Sequence, residues 1–269
     1  MSAVANDIAN HPGAPLLAGD PARALAFGDG LAVDLATFER QVRALAALLP
    51  DGDFAINLCE DRYRFLLAFC AAAVRGQATL LPPSRAPGVI ADEVRRHPGS
   101  HCIGDRPLAP EPPRYQRLPD PLPEADGEPL CIAPDAIAAI GFTSGSTGVP
   151  AANPKTWASF RASSAQNLAA LRHLWPAGET AHVVATVPPQ HMYGMELSVL
   201  LPLLGEVAVH SGRPFFPVDI VRALREAPRN RLLVTTPVHL RALVEACTGD
   251  PTLAPPALAG IVSATAPLS

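Results

Sequence analysis

Between residues 143 and 148 the chain reads Thr143-Ser144-Gly145-Ser146-Thr147-Gly148, which puts four hydroxyls and two glycines into six residues. Glycine lets a backbone turn its amides inward into a concave array of donors, and hydroxyls add donors that can follow an anion as it moves. Polyphosphate is the ligand such a bend suits when it links a strand to a helix. Lys155, seven residues past Gly148, brings an ammonium within reach of the same bend, where it would offset charge on β- and γ-phosphates. It is the one lysine among 21 basic residues. The plain alternative is an ordinary Ser/Thr/Gly surface turn. Three better-known loops do not fit: no Gly-Lys-Ser/Thr follows, the run is not Gly-x-Gly-x-x-Gly, and neither serine has glycine at both second neighbours as a nucleophile elbow requires.

Two further stretches hold candidate site residues. His191 lies in Pro188-Pro189-Gln190-His191-Met192-Tyr193-Gly194, where a loop histidine satisfied by its neighbours is the alternative to a functional one. The chain closes with Ser263-Ala264-Thr265-Ala266-Pro267-Leu268-Ser269, whose plain reading is a strand end followed by a proline-directed turn.

The elements that must hold these residues follow from periodicity. Leu35, Phe38, Val42, Leu45 and Leu49 recur at three and four, which predicts a helix over Asp34–Leu49 with one buried face and Asp34 as its cap. Strands are expected at Asp53–Cys59, Ala78–Leu81 and His101–Gly104. Helices are expected at Asp61–Arg75, stopped by Gly76, and at Pro87–His97. Nine prolines between Arg106 and Pro134 remove backbone donors and predict an extended connection without regular pairing, read as a loop within one folding unit. Beyond it strands are predicted at Ala136–Phe142, His182–Val187, Glu206–His210, Arg231–Thr235 and Gly260–Ala264. They alternate with helices at Thr156–His173, Met192–Leu204, Val218–Ala227 and Val238–Cys247. This cadence gives an α/β fold of mostly parallel sheets flanked by helices.

Composition limits what the fold can serve. With 269 residues, 48% of them hydrophobic and 17% charged, the chain can bury a large core. A net charge of -4 supplies no broad cationic surface, so nucleic acid and anionic lipid are not the expected partners, and a small molecule is. No window of about 18 apolar residues runs free of charge or proline, and Met1–Asp20 lacks a basic-then-apolar signal pattern. A soluble cytoplasmic protein without an integral membrane segment is therefore expected. Cys59, Cys70, Cys102, Cys131 and Cys247 are scattered, never spaced Cys-x-x-Cys, and read as core thiols.

Phe142 through Pro150 resembles the phosphate loop of the adenylate-forming superfamily: acyl-CoA synthetases, aryl-acid ligases, luciferases and peptide-synthetase adenylation domains. The family pattern is an apolar residue, then Thr-Ser-Gly-Ser-Thr-Gly-x-Pro-Lys. Here Ala151, Ala152, Asn153 and Pro154 intervene before Lys155. The strand and helix from Asn57 to Gly76, with Ala78–Pro82, resemble the family's N-terminal subdomain. Pro188–Gly194 resembles the segment placing a His or aromatic residue between acyl pocket and phosphates. Ser263–Ser269 is similar to Ser-Gly-Gly-Ala-Pro-Leu, with Ala264 and Thr265 in place of the glycines. The run Asn57–Tyr63 together with the interrupted Pro-x-x-x-x-Lys is similar to bacterial AMP-ligases of aryl-polyene and xanthomonadin-type pigment clusters.

The resemblance covers about Asp34 to Ser269 and implies the N-terminal subdomains of an AMP-dependent ligase over 1–269, with the proline-rich connection at 106–134 and the phosphate loop at 143–148. The implied reaction activates a fatty or aryl carboxylic acid with ATP and Mg2+ as an acyl-adenylate. The acyl group then passes to the thiol of CoA or of phosphopantetheine on an acyl carrier protein. Thr143, Ser144, Gly145, Ser146, Thr147 and Gly148 would hold the phosphates, and Lys155 would assist. His191 would order the carboxylate, and Thr265, Ala266 and Pro267 would line the adenine. The family's Tyr-Gly-x-Thr-Glu segment, ribose-binding Asp, hinge and C-terminal domain do not follow Ser269. The chain is thus expected to be a truncated fragment with negligible adenylation alone. A non-catalytic nucleotide-binding or interaction module of the same descent is the other reading. A phosphotransferase is disfavoured by the lack of a catalytic Asp constellation.

Overall fold

The computed structural model describes residues 13–143 and 151–265, with residue 143 described in its backbone only. Three short strands come first: β1 (Ala14–Pro15), β2 (Ala24–Gly28) and β3 (Leu31–Asp34). Asp34 then caps α1 (Leu35–Leu48), its carboxylate accepting a 2.7 Å hydrogen bond from the Thr37 amide. The stripe of Leu35, Phe38, Val42 and Leu45 is buried, as its spacing requires. β4 (Phe54–Asn57) leads into α2 (Arg62–Val74), capped by Asp61 and closed where Gly76 takes a φ of 71°. Eleven of the 13 residues of α2 are buried, so it packs on all sides rather than along one stripe. β5 (Ala78–Leu81), α3 (Pro87–Arg96) and β6 (His101–Gly104) follow at the predicted places.

Two expectations are corrected in the next stretch. The proline-rich connection does contain paired strands, β7 (Tyr115–Arg117) and β8 (Cys131–Ile132). β7 occupies the gap between Pro113 and Pro119, where backbone donors are intact, and pairs in parallel with β6. After β9 (Ile137–Thr143), residues read as an interval before a helix form β10 (Ala151–Thr156), antiparallel to β9. Pro154 is tolerated there because β10 is an edge strand. Thr156, predicted inside the helix, is its cap: its hydroxyl accepts from the Ser159 amide at the start of α4 (Trp157–Leu171).

β11 (His182–Ala185) precedes a rod made of α5 (Met192–Met195), a π-helical turn over Glu196–Leu200, and α6 (Leu201–Leu204). β12 (Ala208–His210), α7 (Pro217–Glu226), β13 (Arg231–Thr235), α8 (Pro237–Gly249) and β14 (Gly260–Ser263) complete the chain. The strands form two six-stranded sheets, ordered β10-β9-β5-β4-β6-β7 and β14-β13-β11-β12-β2-β3, each parallel except for one antiparallel edge strand. A small antiparallel pair, β1 with β8, stands apart. One apolar cluster spans Phe38 of α1, Phe65 and Phe69 of α2, Trp157 and Phe160 of α4, and Val183 and Leu232 of the second sheet, so the helices between the sheets share their core. Cys59, Cys70 and Cys102 are buried as expected. Cys131 is exposed and Cys247 half-buried because both lie outside that core.

Candidate functional site

In a parallel sheet the carboxyl ends of the strands and the loops after them make the natural crevice. At the carboxyl ends of β5 and β9 the structure has a cavity of about 410 Å³. Leu81, Pro82 and Pro83 wall one side, Gly141 and Phe142 of β9 and Asn153 of β10 the second, and Gln190, His191 and Met192 the third. Among the described residues no carboxylate lines it, which suits an anion. β9 runs from this wall into the Thr143–Gly148 run. Ser144, Gly145, Ser146, Thr147, Gly148, Ala266 and Pro267 lie outside the described residues, as does the side chain of Thr143.

The segment carrying His191 is held from beneath. Arg62, at the start of α2, is fully buried and donates 2.9 Å hydrogen bonds to the carbonyls of Ala185 and Val187. It also donates to the Ser198 hydroxyl. Its own amide reaches the Ser211 carbonyl at 2.7 Å, so a single residue ties the first sheet's helix to two loops of the second. Burial, and then the charge of Arg213, push its pKa down to about 9, which leaves it cationic at neutral pH. Above it, Gly194 presses on the Pro188 carbonyl so closely that a Cβ would fall on that oxygen.

His191 itself is exposed at the start of α5. Desolvation by the protein around it, then the guanidinium charges of Arg213 and Arg85, hold its pKa below the usual histidine value, so the ring is neutral at pH 7. Arg85 is fixed behind the wall by hydrogen bonds to the Cys59 carbonyl (2.6 Å) and Gln190 Oε1 (3.3 Å). Lys155 sits two residues beyond Asn153 on β10, on the same face of the strand, and pairs with Ala139.

Tyr193 brings the third sequence stretch to the site. Its hydroxyl lies 2.8 Å from the Val262 carbonyl of β14 and 3.2 Å from that of Thr235, which places the strand leading to Thr265 beside α5. Thr265 is exposed with a φ of 82°, a left-handed conformation at the position where the resembling pattern has glycine. Sequence reasoning missed the polar group that follows inward. His239 Nδ1 is 2.8 Å from Thr186 Oγ1, and that hydroxyl is 3.0 Å from Thr235 Oγ1, at the ends of β11 and β13 where the strand order reverses. No motif announced it, because its members come from segments about 50 residues apart.

Comparisons with known proteins bear on the family and the fold. The family model described as AMP-binding enzyme matches residues 54–269. No curated protein matches the chain in sequence. Among solved structures, O-succinylbenzoate coenzyme A synthetase (MenE) from Bacillus subtilis, in complex with AMP, superposes with a TM-score of 0.70 at 19% identity, over 92% of this chain and 65% of that one. ATP-bound MatB from Rhodopseudomonas palustris gives 0.68 at 16% identity, over 93% and 53%. A malonyl-CoA ligase with methylmalonyl-CoA and AMP bound gives 0.65 at 21% identity, over 89% and 51%. The fold is that of the N-terminal part of such adenylate-forming enzymes, and the chain spans between 51% and 65% of their lengths. Among the described residues no helix is long and apolar enough to cross a membrane.

Proposed function

Since the chain belongs to the AMP-binding enzyme family, we propose that it serves the ATP-dependent activation of a carboxylic acid, fatty or aryl, whose acyl group then passes to the thiol of CoA or of a carrier protein's phosphopantetheine. A carboxylate oxygen attacks the α-phosphorus of ATP and the bond to the β-phosphate breaks, releasing pyrophosphate. A thiolate then attacks the acyl carbon and AMP leaves with the bonding pair. Two anions must meet in the first step while charge builds on the leaving pyrophosphate, so the barrier is mainly electrostatic.

The observation that carries this reading is the cavity at the ends of β5 and β9, lined by no carboxylate among the described residues, bounded by His191 and Asn153 and continuous in sequence with the hydroxyl-rich run. Thr143 through Gly148 would surround the β- and γ-phosphates with backbone and hydroxyl donors, and Lys155 would add charge. A neutral His191 can donate one N–H to a carboxylate oxygen without neutralising the nucleophile. Thr265, Ala266 and Pro267 would bound the adenine. No group of three His, Cys, Asp or Glu among the described residues could hold a metal. Magnesium would enter on the nucleotide's phosphates and supply charge neutralisation there.

Calorimetric titration of the chain with Mg-ATP tests the proposal. Binding is expected, and the double variant Lys155→Ala, Ser146→Ala should weaken it at least about tenfold, since charged and hydroxyl donors to phosphate each contribute about 1 kcal/mol or more. Absence of binding by the unaltered chain would refute it.

A further inference from the structure

The run from Asn57 to Tyr63 has no part in the reaction just described, yet the loop it forms between β4 and α2 is pinned residue by residue. The Leu58 amide donates to the Ile103 carbonyl at 2.7 Å, and the Cys59 amide to Asn57 Oδ1 at 3.1 Å. Asn57 Nδ2 in turn donates to the Phe65 carbonyl at 2.9 Å. Asp105 Oδ2 accepts from the Glu60 amide at 2.9 Å and from the Asp61 amide at 2.8 Å. The Arg62 amide donates to the Ser211 carbonyl at 2.7 Å. With the amides of residues 58 to 62 all bonded, the loop is a fixed platform from which other segments can be held.

Two guanidinium groups carry that fixity to the segment Pro188–Gly194. Arg62 holds the Val187 carbonyl, immediately before the segment, at 2.9 Å. Arg85 reaches inside it from the loop after β5. Its Nη2 bears two N–H groups, and its two acceptors are the Cys59 carbonyl at 2.6 Å and Gln190 Oε1 at 3.3 Å. Arg85 Nε is buried without a partner among the described residues, so the two Nη2 bonds set how the group lies. The shorter bond goes to the backbone of the pinned loop and the longer one to a side chain, which makes Cys59 the anchor and Gln190 the part that is held. Gln190 lines the cavity beside His191, and Pro82 and Pro83, just before Arg85 in the chain, form another of its walls. One residue therefore ties the proline wall to the histidine wall. Its charge also contributes to the lowered pKa of His191.

We infer that Arg85 is a positioning residue: anchored on the Cys59 carbonyl, it holds Gln190, and with it the adjoining His191, at the wall of the cavity where the nucleotide and the acid would meet. This rests on the reading of the cavity as the nucleotide site and adds a residue to it. If Arg85 served only to satisfy the Cys59 carbonyl, its effect would not pass through Gln190. Gln190→Met deletes the acceptor at the wall and leaves the bond to Cys59 in place. Arg85→Met deletes both bonds, and Arg85→Lys keeps the charge with a single donor group.

In nuclear magnetic resonance spectra of the ligand-free chain, the Gln190 side-chain amide is assigned by its loss in Gln190→Met. That signal and the His191 ring signals are expected to move in Arg85→Met. In calorimetry with Mg-ATP, Arg85→Met and Gln190→Met should each weaken binding about threefold to tenfold, the worth of one hydrogen bond. The double variant should be no weaker than Arg85→Met alone, and Arg85→Lys should recover part of the loss. Gln190 and His191 signals that stay in place in Arg85→Met, or losses that multiply in the double variant, overturn the inference. Should Arg85→Met fail to fold, Arg85→Lys in the presence and absence of Gln190→Met gives the same comparison. Failure of the unaltered chain to bind Mg-ATP would instead refute the nucleotide site, and the Gln190 and His191 signals would still decide whether Arg85 holds the segment.

Discussion

Arg62 Nη2 donates a 2.9 Å hydrogen bond to the Val187 carbonyl, so a residue opening a helix of the first sheet fixes the last residue before the Pro188–Gly194 segment of the second. The same nitrogen reaches the Ala185 carbonyl at 2.9 Å. Replacing a buried cation by an apolar isostere can be neutral when its partners go with it, but here two carbonyls would be left in a dry site. Arg62→Met should therefore cost about 2–4 kcal/mol in chemical denaturation. Arg62→Lys, which keeps the charge and one donor direction, should cost less. Equal stability of Arg62→Met and the unaltered chain would show that these bonds are not holding the segment.

Gly194 gives a test whose sign is set by competition. In an ordinary helix Gly→Ala gains about 1 kcal/mol of propensity. At this position the new methyl group would strike the Pro188 carbonyl, which is backbone and cannot rotate away. The Pro188 carbonyl also accepts from the His191 amide at 3.3 Å, so displacing it moves His191. Overpacking of this kind costs about 1–3 kcal/mol. Gly194→Ala is expected to lower the melting temperature and to shift the His191 ring resonances. A rise in stability would mean that the helix relaxes freely at this contact.

Much of the fold was legible because it is local. Asp34 announces its helix as a cap, whereas Asp61, read as the first helical residue, is the cap of α2; Ala78–Leu81, His101–Gly104 and Arg231–Thr235 are short apolar runs bounded by turns, found where expected. The β2–β3 hairpin was not legible. Ala24–Gly28 joins the second sheet by pairing with β12, more than 180 residues away, and a five-residue apolar run encodes no such partner. β10 was hidden for another reason: Ala151–Pro154 is exposed and lacks alternation, so its pairing with β9 depends on geometry rather than on burying a face. At the site, His191 and Phe142 stood out through their motifs, whereas Arg85 and Tyr193 matter through contacts with Gln190 and Val262 that only folding creates.

The second sheet's neighbour offers a pH prediction. His101 on β6 is fully buried, and neither ring nitrogen has a hydrogen-bond partner among the described residues. Burial first, then the charges of Arg114 and Arg75, push its pKa down to about 4. The unfolded chain binds this proton more readily than the folded one, so stability is whole above about pH 6.5 and is lost as pH falls toward 4. The slope contributed by one such group is at most about 1.4 kcal/mol per pH unit. His182, His191 and His239 are shifted in the same direction and add to it. Urea denaturation at pH 7.5 and pH 5 should show a smaller loss for His101→Leu than for the unaltered chain. Identical losses would show that His101 does not titrate in this window.

Thr265 tests whether the departure from glycine at the end of β14 carries strain. A β-branched residue at a φ of 82° is disfavoured by about 1–3 kcal/mol, while glycine there would lose about 1 kcal/mol more backbone entropy on folding. The two terms predict that Thr265→Gly is neutral to stabilising. Ala264 has no left-handed φ to relieve, so Ala264→Gly should lose about 0.5–1 kcal/mol. Comparing the two variants in one denaturation series removes the general effect of adding glycine to the segment. If both lose the same amount, the left-handed turn stores no strain and Thr265 sits there without cost. If Thr265→Gly gains while its affinity for Mg-ATP falls, the threonine is kept for a contact with the nucleotide that offsets its conformation.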